Sequence, residues 1–344
     1  MFIQAKLEEA TKRRARYGDT VYLLEPHVKE GSGGLRDLHT AWWVARARWQ
    51  VPPEDLLLLG VLSPAEDRAL ERASSFLSRV RFEMHLVDGR PNDSLRFDLQ
   101  EKLADRLGFG RQSARESDRL KAAVERFMRA YYFHARQVTL HTQHLVERAT
   151  SHLRRTSGAS RPAPGGFKTW SEKLTVAHRD QFLQDPSALV RIFRVAQDEA
   201  MEIYSYTKDL IRGSRRGMNA SFRRNPKVVE ELFSIVEDPK ADGSALSDMH
   251  DLGVLRGLIP EFSRVTSRWQ HSLYHVYTVD IHSIRVLRNL KKLRKGDFAE
   301  SQPELTRWMA ELSHPHVLYF AGLLHDVGKG WHRVIIRSEG SKWR

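Results

Sequence analysis

The sequence has 344 residues, enough for two or three domains, and it contains no cysteine, which excludes a disulfide framework and a thiolate metal site. No run of about 18 apolar residues occurs, and the charged N-terminal residues do not resemble a secretory signal peptide, so a cytoplasmic protein without a membrane span is predicted. The 56 Lys and Arg residues outnumber the 43 Asp and Glu residues, and the formal net charge of +13 favours an anionic partner. An arginine-rich composition without functional meaning explains the charge equally well.

Helical periodicity dominates the sequence, which is predicted to be predominantly all-α. The segment 63–87 opens with a serine cap and a proline in the first turn, and its apolar residues recur every three or four positions. The segments 119–149 and 186–204 show the same spacing. Alternation typical of a strand is rare, and residues 20–26 are the best candidate.

Two segments interrupt the helical pattern. Residues 156–166 are rich in Gly, Pro and Ser and are predicted to form a linker or an exposed loop. Residues 237–262 are interpreted as a loop, a short helix and a second break. These two segments are the candidate boundaries between domains.

A glycine-rich turn precedes a predicted helix near the start of the sequence. Gly31, Gly33 and Gly34 would let backbone N–H groups converge on an anion at the positive end of that helix. Lys29 and Arg36 would add positive charge. The spacing matches neither the Walker P-loop nor the dinucleotide-binding glycine motif. On the residues alone, a glycine turn that packs closely against its neighbours is favoured over a phosphate-binding loop.

Histidines and acids concentrate in two predicted helices late in the sequence. His282 lies on the apolar face of the first helix, and His275 lies about two turns earlier on the same stripe. An apolar run later in the sequence is followed directly by the adjacent His325 and Asp326. A lone histidine on an apolar face is more often a core residue. Four such groups on two buried helices favour a metal site, because buried carboxylates and imidazoles need partners, and this donor set suits Mn²⁺, Fe²⁺, Zn²⁺ or Mg²⁺.

These motifs resemble those of a known enzyme family. The segment LEPHVKEGSGGLRDLHTAWWVAR, which contains the glycine turn, is similar to the segment after the catalytic core in the PII-protein uridylyltransferase/uridylyl-removing (GlnD) family. The pattern HxYTVDxH from His275 to His282 resembles the uridylyl-removing version of an HD phosphohydrolase motif. The doublet of His325 and Asp326 resembles the signature of the HD superfamily.

The resemblance implies a division of the chain into five parts. The family adds UMP from UTP to the signalling protein PII with one domain and removes it with another. The expected fold is a helical domain that follows a nucleotidyltransferase core and is joined to a truncated HD-type helical domain. The expected parts are the end of a nucleotidyltransferase domain with the glycine loop (1–45), a helical domain (46–155), a linker or exposed loop (156–166), a helical region (167–265) and a partial HD domain (266–344).

The resemblance also implies a site and its partners. The metal would be divalent, most simply Mg²⁺ or Mn²⁺, and the partners would be PII and UTP or UMP. The implied metal ligands are His275, His282, His325 and Asp326. The glycine loop, with Lys29, Gly31, Gly33, Gly34 and Arg36, would lie beside a nucleotide in a full-length relative. Lys329 would steady the phosphate, or it is an exposed lysine without a role. Asp280 would orient a histidine, or it is a solvent-facing helix acid.

The sequence departs from the family pattern in two places. It contains no Asp-x-Asp pair, so the chain is expected to begin after the transferase active site. No aspartate follows Asp326, only His332 and Glu339 remain as substitutes for the last HD ligand, and the family's C-terminal ACT domains are not expected. We therefore expect weak or no phosphodiesterase activity from this chain alone.

Two other readings of the sequence remain open. The chain could be a non-catalytic helical module that binds PII or another protein. The basic stretches 211–227 and 285–295 leave nucleic-acid binding as the weakest alternative, since charge runs on helices are usually solvated faces.

Overall fold

A computed structural model of the protein describes residues 1–110, 116–150, 160–268 and 276–330. The chain divides into a first unit of residues 1–155 and 267–278 and a second unit of residues 156–266 and 279–344. Helices dominate both units, so the prediction of a predominantly all-α fold is confirmed. No helix in the described part of the chain is long and apolar enough to cross a membrane.

Five α-helices build the described part of the first unit. They are α1 (Phe2–Tyr17), α2 (Leu35–Trp49), α3 (Pro64–Asp88), α4 (Phe97–Arg106) and α5 (Glu116–Thr150). Helices α2, α3 and α4 all pack against α5, the longest of the five, which buries Phe127, Tyr131 and Tyr132 almost completely. The first unit is therefore organised around one long apolar helix face.

The start of α3 shows how local sequence defines a helix boundary. The Glu66 backbone N–H donates to Ser63 Oγ, and the Ser63 backbone N–H donates in return to the Glu66 carboxylate. This capping box satisfies two N–H groups that the first helical turn would otherwise leave without partners. Gly89 ends the helix in the left-handed conformation with φ at 67°. The predicted helix at 63–87 thus corresponds closely to α3.

The strand candidate at residues 20–26 pairs with a segment far along the chain. Leu23 forms an isolated antiparallel bridge with Tyr277, and the Leu24 backbone N–H donates to the Val276 carbonyl at 2.9 Å. This pairing ties residues 276–278 to the first unit. The candidate therefore forms a local β-type pairing and does not extend into a longer strand among the described residues.

The second unit begins with a small antiparallel sheet that the sequence analysis did not predict. Its strands, in the order β1-β2-β3, are Arg161–Ala163, Phe167–Trp170 and Lys173–Val176. The turn between β2 and β3 consists of Ser171 and Glu172, both at positive φ. Neither is the glycine or asparagine that marks such a turn in a sequence. Part of the segment predicted as a linker or exposed loop therefore forms β1, whose residues Arg161 and Pro162 are exposed.

Eleven further helices follow in the described part of the second unit. They are α6 (Gln181–Gln184), α7 (Ala188–Asp198), α8 (Ser205–Ser214), α9 (Ala220–Arg224), α10 (Pro226–Glu237), α11 (Ser244–Asp251), α12 (Leu255–Leu258), α13 (Pro260–Val265), α14 (Val279–Lys295), α15 (Pro303–Glu311) and α16 (Pro315–Leu324). The core lies where α7, α10, α14 and α16 meet, around residues such as Phe193, Leu287 and Leu323.

A close approach of α16 to α14 positions the residues that follow α16. Gly322 lies inside α16, and a Cβ at this position would lie 3.0 Å from Leu290 and 3.1 Å from Val286, both on α14. A Cβ this close would require the side chains of Leu290 and Val286 to shift by a few tenths of an ångström. Helix α16 ends at Leu324, and a short 3₁₀ turn from Val327 to Gly330 follows.

Candidate metal centre

Helices α14 and α16 bring three of the four predicted metal ligands together. The rings of His282 and His325 have centroids 5.3 Å apart and are inclined at 67° to each other. One possible ligand atom from each of His282, His325 and Asp326 lies within 4.8 Å of the other two. Two imidazoles and one carboxylate form a donor set that suits Mn²⁺, Fe²⁺ or Zn²⁺. These residues therefore fit a divalent cation in chemistry and in spacing.

A hydrogen bond to the backbone defines the orientation of the His325 ring. The Nδ1 atom lies 2.8 Å from the Gly322 carbonyl oxygen. A carbonyl oxygen can only accept, so Nδ1 carries the hydrogen, and in the neutral ring Nε2 keeps its lone pair. Histidines that ligate metals commonly make this kind of bond with their second nitrogen. The lone pair of Nε2 is thus the one that a neutral His325 offers to a cation.

Lys329 contacts the carboxylate of the cluster. Its Nζ atom donates to Asp326 Oδ2 at 2.8 Å, and the same oxygen lies 3.4 Å from His325 Nε2. The Asp326 side chain is largely buried, with 11% of its surface exposed, so its negative charge needs a partner. The ammonium of Lys329 supplies one.

His275, the fourth predicted ligand, lies outside the described residues, as do His332 and Glu339. Their roles therefore stay predictions. Of the HxYTVDxH motif, the structure describes the residues from Val276 onward.

Asp280 is fully buried at the start of α14, which excludes the solvent-facing alternative. Its Oδ2 atom lies 2.7 Å from Nε2 of His250 on α11. His250 in turn places Nδ1 3.3 Å from a carboxylate oxygen of Asp251. Asp280 thus contacts a histidine that the sequence analysis did not single out. An orienting role toward the metal ligands stays a prediction.

The environment of His250 favours its charged form. Burial alone would lower the pKa of His250, but the hydrogen bonds that its ring donates to Asp251 and Asp280, and their negative charges, raise this pKa to about 9. His250 and Asp280 therefore form a buried ion pair at neutral pH. The sequence contains one feature that could have drawn attention to His250. A His-Asp doublet occurs twice, at 250–251 as well as at 325–326.

The glycine turn in the first unit uses its backbone donors internally. The N–H groups of Gly31 and Gly34 donate to carbonyl oxygens of the same turn, and the N–H of Gly33 donates to Asp37 Oδ2 at 2.9 Å. Gly33 has φ at 70°, and a Cβ there would lie 2.4 Å from the carbonyl oxygen of Ala135 on α5. Close packing is therefore a sufficient reason for these glycines.

The basic side chains beside the turn are paired with acids of the same chain. Glu30 accepts a hydrogen bond from Arg36 at 3.2 Å and lies 3.6 Å from Lys29 Nζ. Burial would raise the pKa of Glu30, but the hydrogen bond and charge of Arg36 outweigh it and lower the pKa. Asp37 forms an ion pair with Arg13 at 2.6 Å. The role of this loop beside a nucleotide stays a prediction. Because the backbone N–H groups of the turn already have partners, side chains would have to bind the nucleotide.

A second cluster of possible ligands lies in the first unit. Ligand atoms of Glu66, His141 and His144 lie within 4.8 Å of one another. However, Arg148 donates to both carboxylate oxygens of Glu66, at 2.8 and 3.1 Å. Burial would raise the pKa of Glu66, but hydrogen bonds from His144, Arg148 and Ser63 hold it far below its usual value. The guanidinium occupies the place of a cation, so this cluster is an ion-pair network between α3 and α5.

Two family models match the chain. The model described as GlnD PII-uridylyltransferase matches residues 1–146, which include the glycine turn. The model described as the third domain of the uridylyltransferase GlnD matches residues 167–257, which include His250.

Curated relatives match almost the whole chain. The bifunctional uridylyltransferase/uridylyl-removing enzyme of Caulobacter vibrioides is 35% identical over 344 residues, which covers 96% of this chain and 36% of the relative. The enzymes of the same name from Aromatoleum aromaticum and Bordetella parapertussis are 35% and 36% identical, and each match covers 96% of this chain and 38% of the relative. The chain thus spans little more than a third of the length of these relatives. No solved structure matches it.

Proposed function

Because this chain belongs to the GlnD uridylyltransferase family, we propose that its second unit carries a uridylyl-removing site built on His282, His325 and Asp326. The substrate of this site would be the phosphodiester between UMP and a tyrosine of the signalling protein PII. The convergence of these three side chains within 4.8 Å, from helices α14 and α16, is the observation that carries the proposal.

The three side chains would hold Mg²⁺ or Mn²⁺. When bound, such a cation polarises a phosphoryl oxygen and lowers the pKa of a water molecule, which is the chemistry that phosphodiester hydrolysis needs. His325 contributes the lone pair of Nε2, because its Nδ1 hydrogen is held by Gly322. Lys329 moves from Asp326 to a phosphate oxygen of the substrate, where its ammonium balances negative charge.

Asp280 would act through position rather than by contact with the substrate. Its bond to His250 anchors the first turn of α14 to α11, and His282 follows two residues later. A fixed start of α14 keeps the imidazole of His282 turned toward α16.

The first unit would take part in the addition of UMP from UTP to PII. Its residues match the uridylyltransferase model, but the sequence has no Asp-x-Asp pair to hold the metal of a nucleotidyl transfer. We therefore assign the first unit a supporting role in that reaction, in binding PII or in packing against a catalytic core.

A non-catalytic module that binds PII is the second candidate. The ion pair between Lys329 and Asp326 favours it, because a lysine that neutralises the carboxylate removes the need for a metal. Metal content separates the two candidates, since a pure binding module holds no stoichiometric metal.

The test is a calorimetric titration of the purified chain with Mn²⁺, together with three variants. The wild type should bind one equivalent of Mn²⁺, and His325→Ala and His282→Ala should each weaken binding at least about tenfold, the usual scale for loss of a ligand or its support. His316→Ala is the matched control, because His316 lies on α16 but belongs to neither ligand cluster. Equal affinity in the wild type and in His325→Ala would show that the ligand assignment is wrong.

A further inference from the structure

A groove beside the small sheet of the second unit is lined by both aromatic and basic side chains. Its volume is about 380 Å³, within the range of about 300–1,000 Å³ typical of small-molecule sites. Three aromatic and three basic side chains contribute to its lining, namely Trp170, Tyr204, Tyr206, Lys168, His178 and Arg179. None of the candidate metal ligands belongs to this lining.

The aromatic side chains of the groove stand on fixed backbone. Trp170 is the last residue of β2 and pairs with Lys173 across the tight turn to β3. The Tyr204 backbone N–H donates to the Leu174 carbonyl at 2.8 Å, which fastens the segment before α8 to the edge of the sheet. A binding surface on such elements keeps its shape without a ligand.

Two of these aromatic rings are well exposed to solvent. Trp170 is 41% exposed and Tyr206 is 48% exposed. Large aromatic side chains normally gain stability by burial, so exposed rings that line one groove have surface available for a ligand. Aromatic faces stack on the bases of nucleotides, whatever the base.

The charge of the groove is positive. No carboxylate lines it, whereas two other grooves on the protein include Asp or Glu side chains in their linings. The Lys168 side chain makes no hydrogen bond or ion pair with any residue that the structure describes. Arg179 lies 3.9 Å from the Asp180 carboxylate, and because both side chains are well exposed this contact is weak. The groove therefore offers cations to an incoming anion.

We propose that this groove binds a mononucleotide, with the base stacked on Trp170 and Tyr206 and the phosphate paired with Lys168 and Arg179. A groove that offers both stacking rings and cations is complementary to a ligand that is both planar and anionic. A volume of about 380 Å³ suits one nucleotide rather than a strand. The inference rests on the sheet and its neighbours, so it stands or falls separately from the hydrolytic site.

The test is a calorimetric titration with UMP and AMP in the presence of EDTA, so that no cation at the candidate metal centre contributes. Both nucleotides should bind, and more tightly than uridine or inorganic phosphate alone. Trp170→Ala and Lys168→Ala should each weaken UMP binding at least about fivefold, the lower end of the effect of losing one stacked ring. Trp308→Ala and Lys227→Ala are the matched controls, because Trp308 is 53% exposed and both residues lie outside the groove.

Trp170→Phe keeps a stacking ring and should retain most of the affinity, which covers the case in which Trp170→Ala fails to fold. The proposal is overturned if the wild type binds neither nucleotide, or if the two groove variants bind UMP as the controls do. Phosphate binding as tight as UMP binding would contradict the stacked base. An oligouridylate that binds more tightly than UMP and covers several nucleotides would contradict the mononucleotide.

Discussion

Among single residues, Asp326 contacts both a predicted metal ligand and the lysine that is proposed to bind the substrate phosphate. Its carboxylate lies beside a predicted metal ligand, His325, and beside a cation of the chain, Lys329. The two cations, metal and ammonium, would compete for the same oxygen. In the proposed function, a metal held by Asp326 would release Lys329, whose ammonium would then pair with the substrate phosphate.

The ion pair of His250 and Asp280 should make the stability of the chain depend on pH. The pKa of His250 is raised from 6.5 to about 9 on folding, so the folded state holds the proton more tightly. The stabilisation is complete below about pH 6.5 and is lost as the pH rises through 9. We expect the free energy of unfolding to fall by up to about 3 kcal/mol over this window.

Urea denaturation at several pH values measures this effect. His250→Asn should lower stability at neutral pH, because Asp280 loses a partner, and should also flatten the dependence between pH 6.5 and 9. His178→Ala, at an exposed position, should keep the slope. An unchanged slope in His250→Asn would mean that His250 is not the titrating group.

For the secondary-structure elements, the sequence predicts which residues share one face of a helix but not which helices pack together. The spacing of Val279, His282 and Val286 predicts the apolar side of α14 for the histidine, which is half-buried in the structure, and an apolar run leads directly to His325. The contact of His250 with Asp280 was not predictable, because it joins two helices 30 residues apart in the chain. Periodicity describes a face and does not say which faces meet.

The small sheet shows a different limit. Its strands have only three or four residues, and the turn of Ser171 and Glu172 carries no glycine or asparagine to mark it. Tertiary contacts, such as the bond between Leu174 and Glu202, stabilise a turn that local propensity does not favour. The glycine turn at 31–34 packs closely, which the residues alone favoured, and its place beside a nucleotide stays a prediction.

The network around Glu66 should contribute to the stability of the first unit. Glu66→Gln preserves shape and a capping partner for Ser63 but removes the charge that Arg148 and His144 face. We expect a loss of about 1–2 kcal/mol in the free energy of unfolding, as for a charge-assisted bond that is largely buried on the acid side.

The lowered pKa of Glu66 also predicts how the stability of the first unit changes with pH. The pKa of Glu66 is lowered on folding, so its stabilisation is complete above about pH 4.3 and declines as the pH falls below that value. Glu66→Gln should flatten this acid limb. Glu83→Gln is the control, because the pair of Glu83 and Arg106 is more exposed, and it should cost less than about 0.5 kcal/mol. An equal cost for the two variants would contradict a special role of Glu66.

In the whole molecule, the features described above are divided between the two units. The first unit holds the glycine turn and the Glu66 network, and the second holds the candidate metal centre and the groove. The five parts expected from the family remain a prediction. The strand-like residues 276–278 belong to the first unit although the helix that continues from them belongs to the second, an assignment that depends on a long-range pairing with Leu23.

We propose that two imidazoles and a carboxylate of the second unit hold one divalent cation. Pulsed electron paramagnetic resonance of the Mn²⁺-loaded chain tests it most directly, because the spectrum reports nitrogen atoms bonded to the metal. The account predicts couplings from at least two imidazole nitrogens, with one lost in His282→Ala, another lost in His325→Ala and none lost in His316→Ala. A spectrum without nitrogen couplings, or one that both ligand variants leave unchanged, would contradict it.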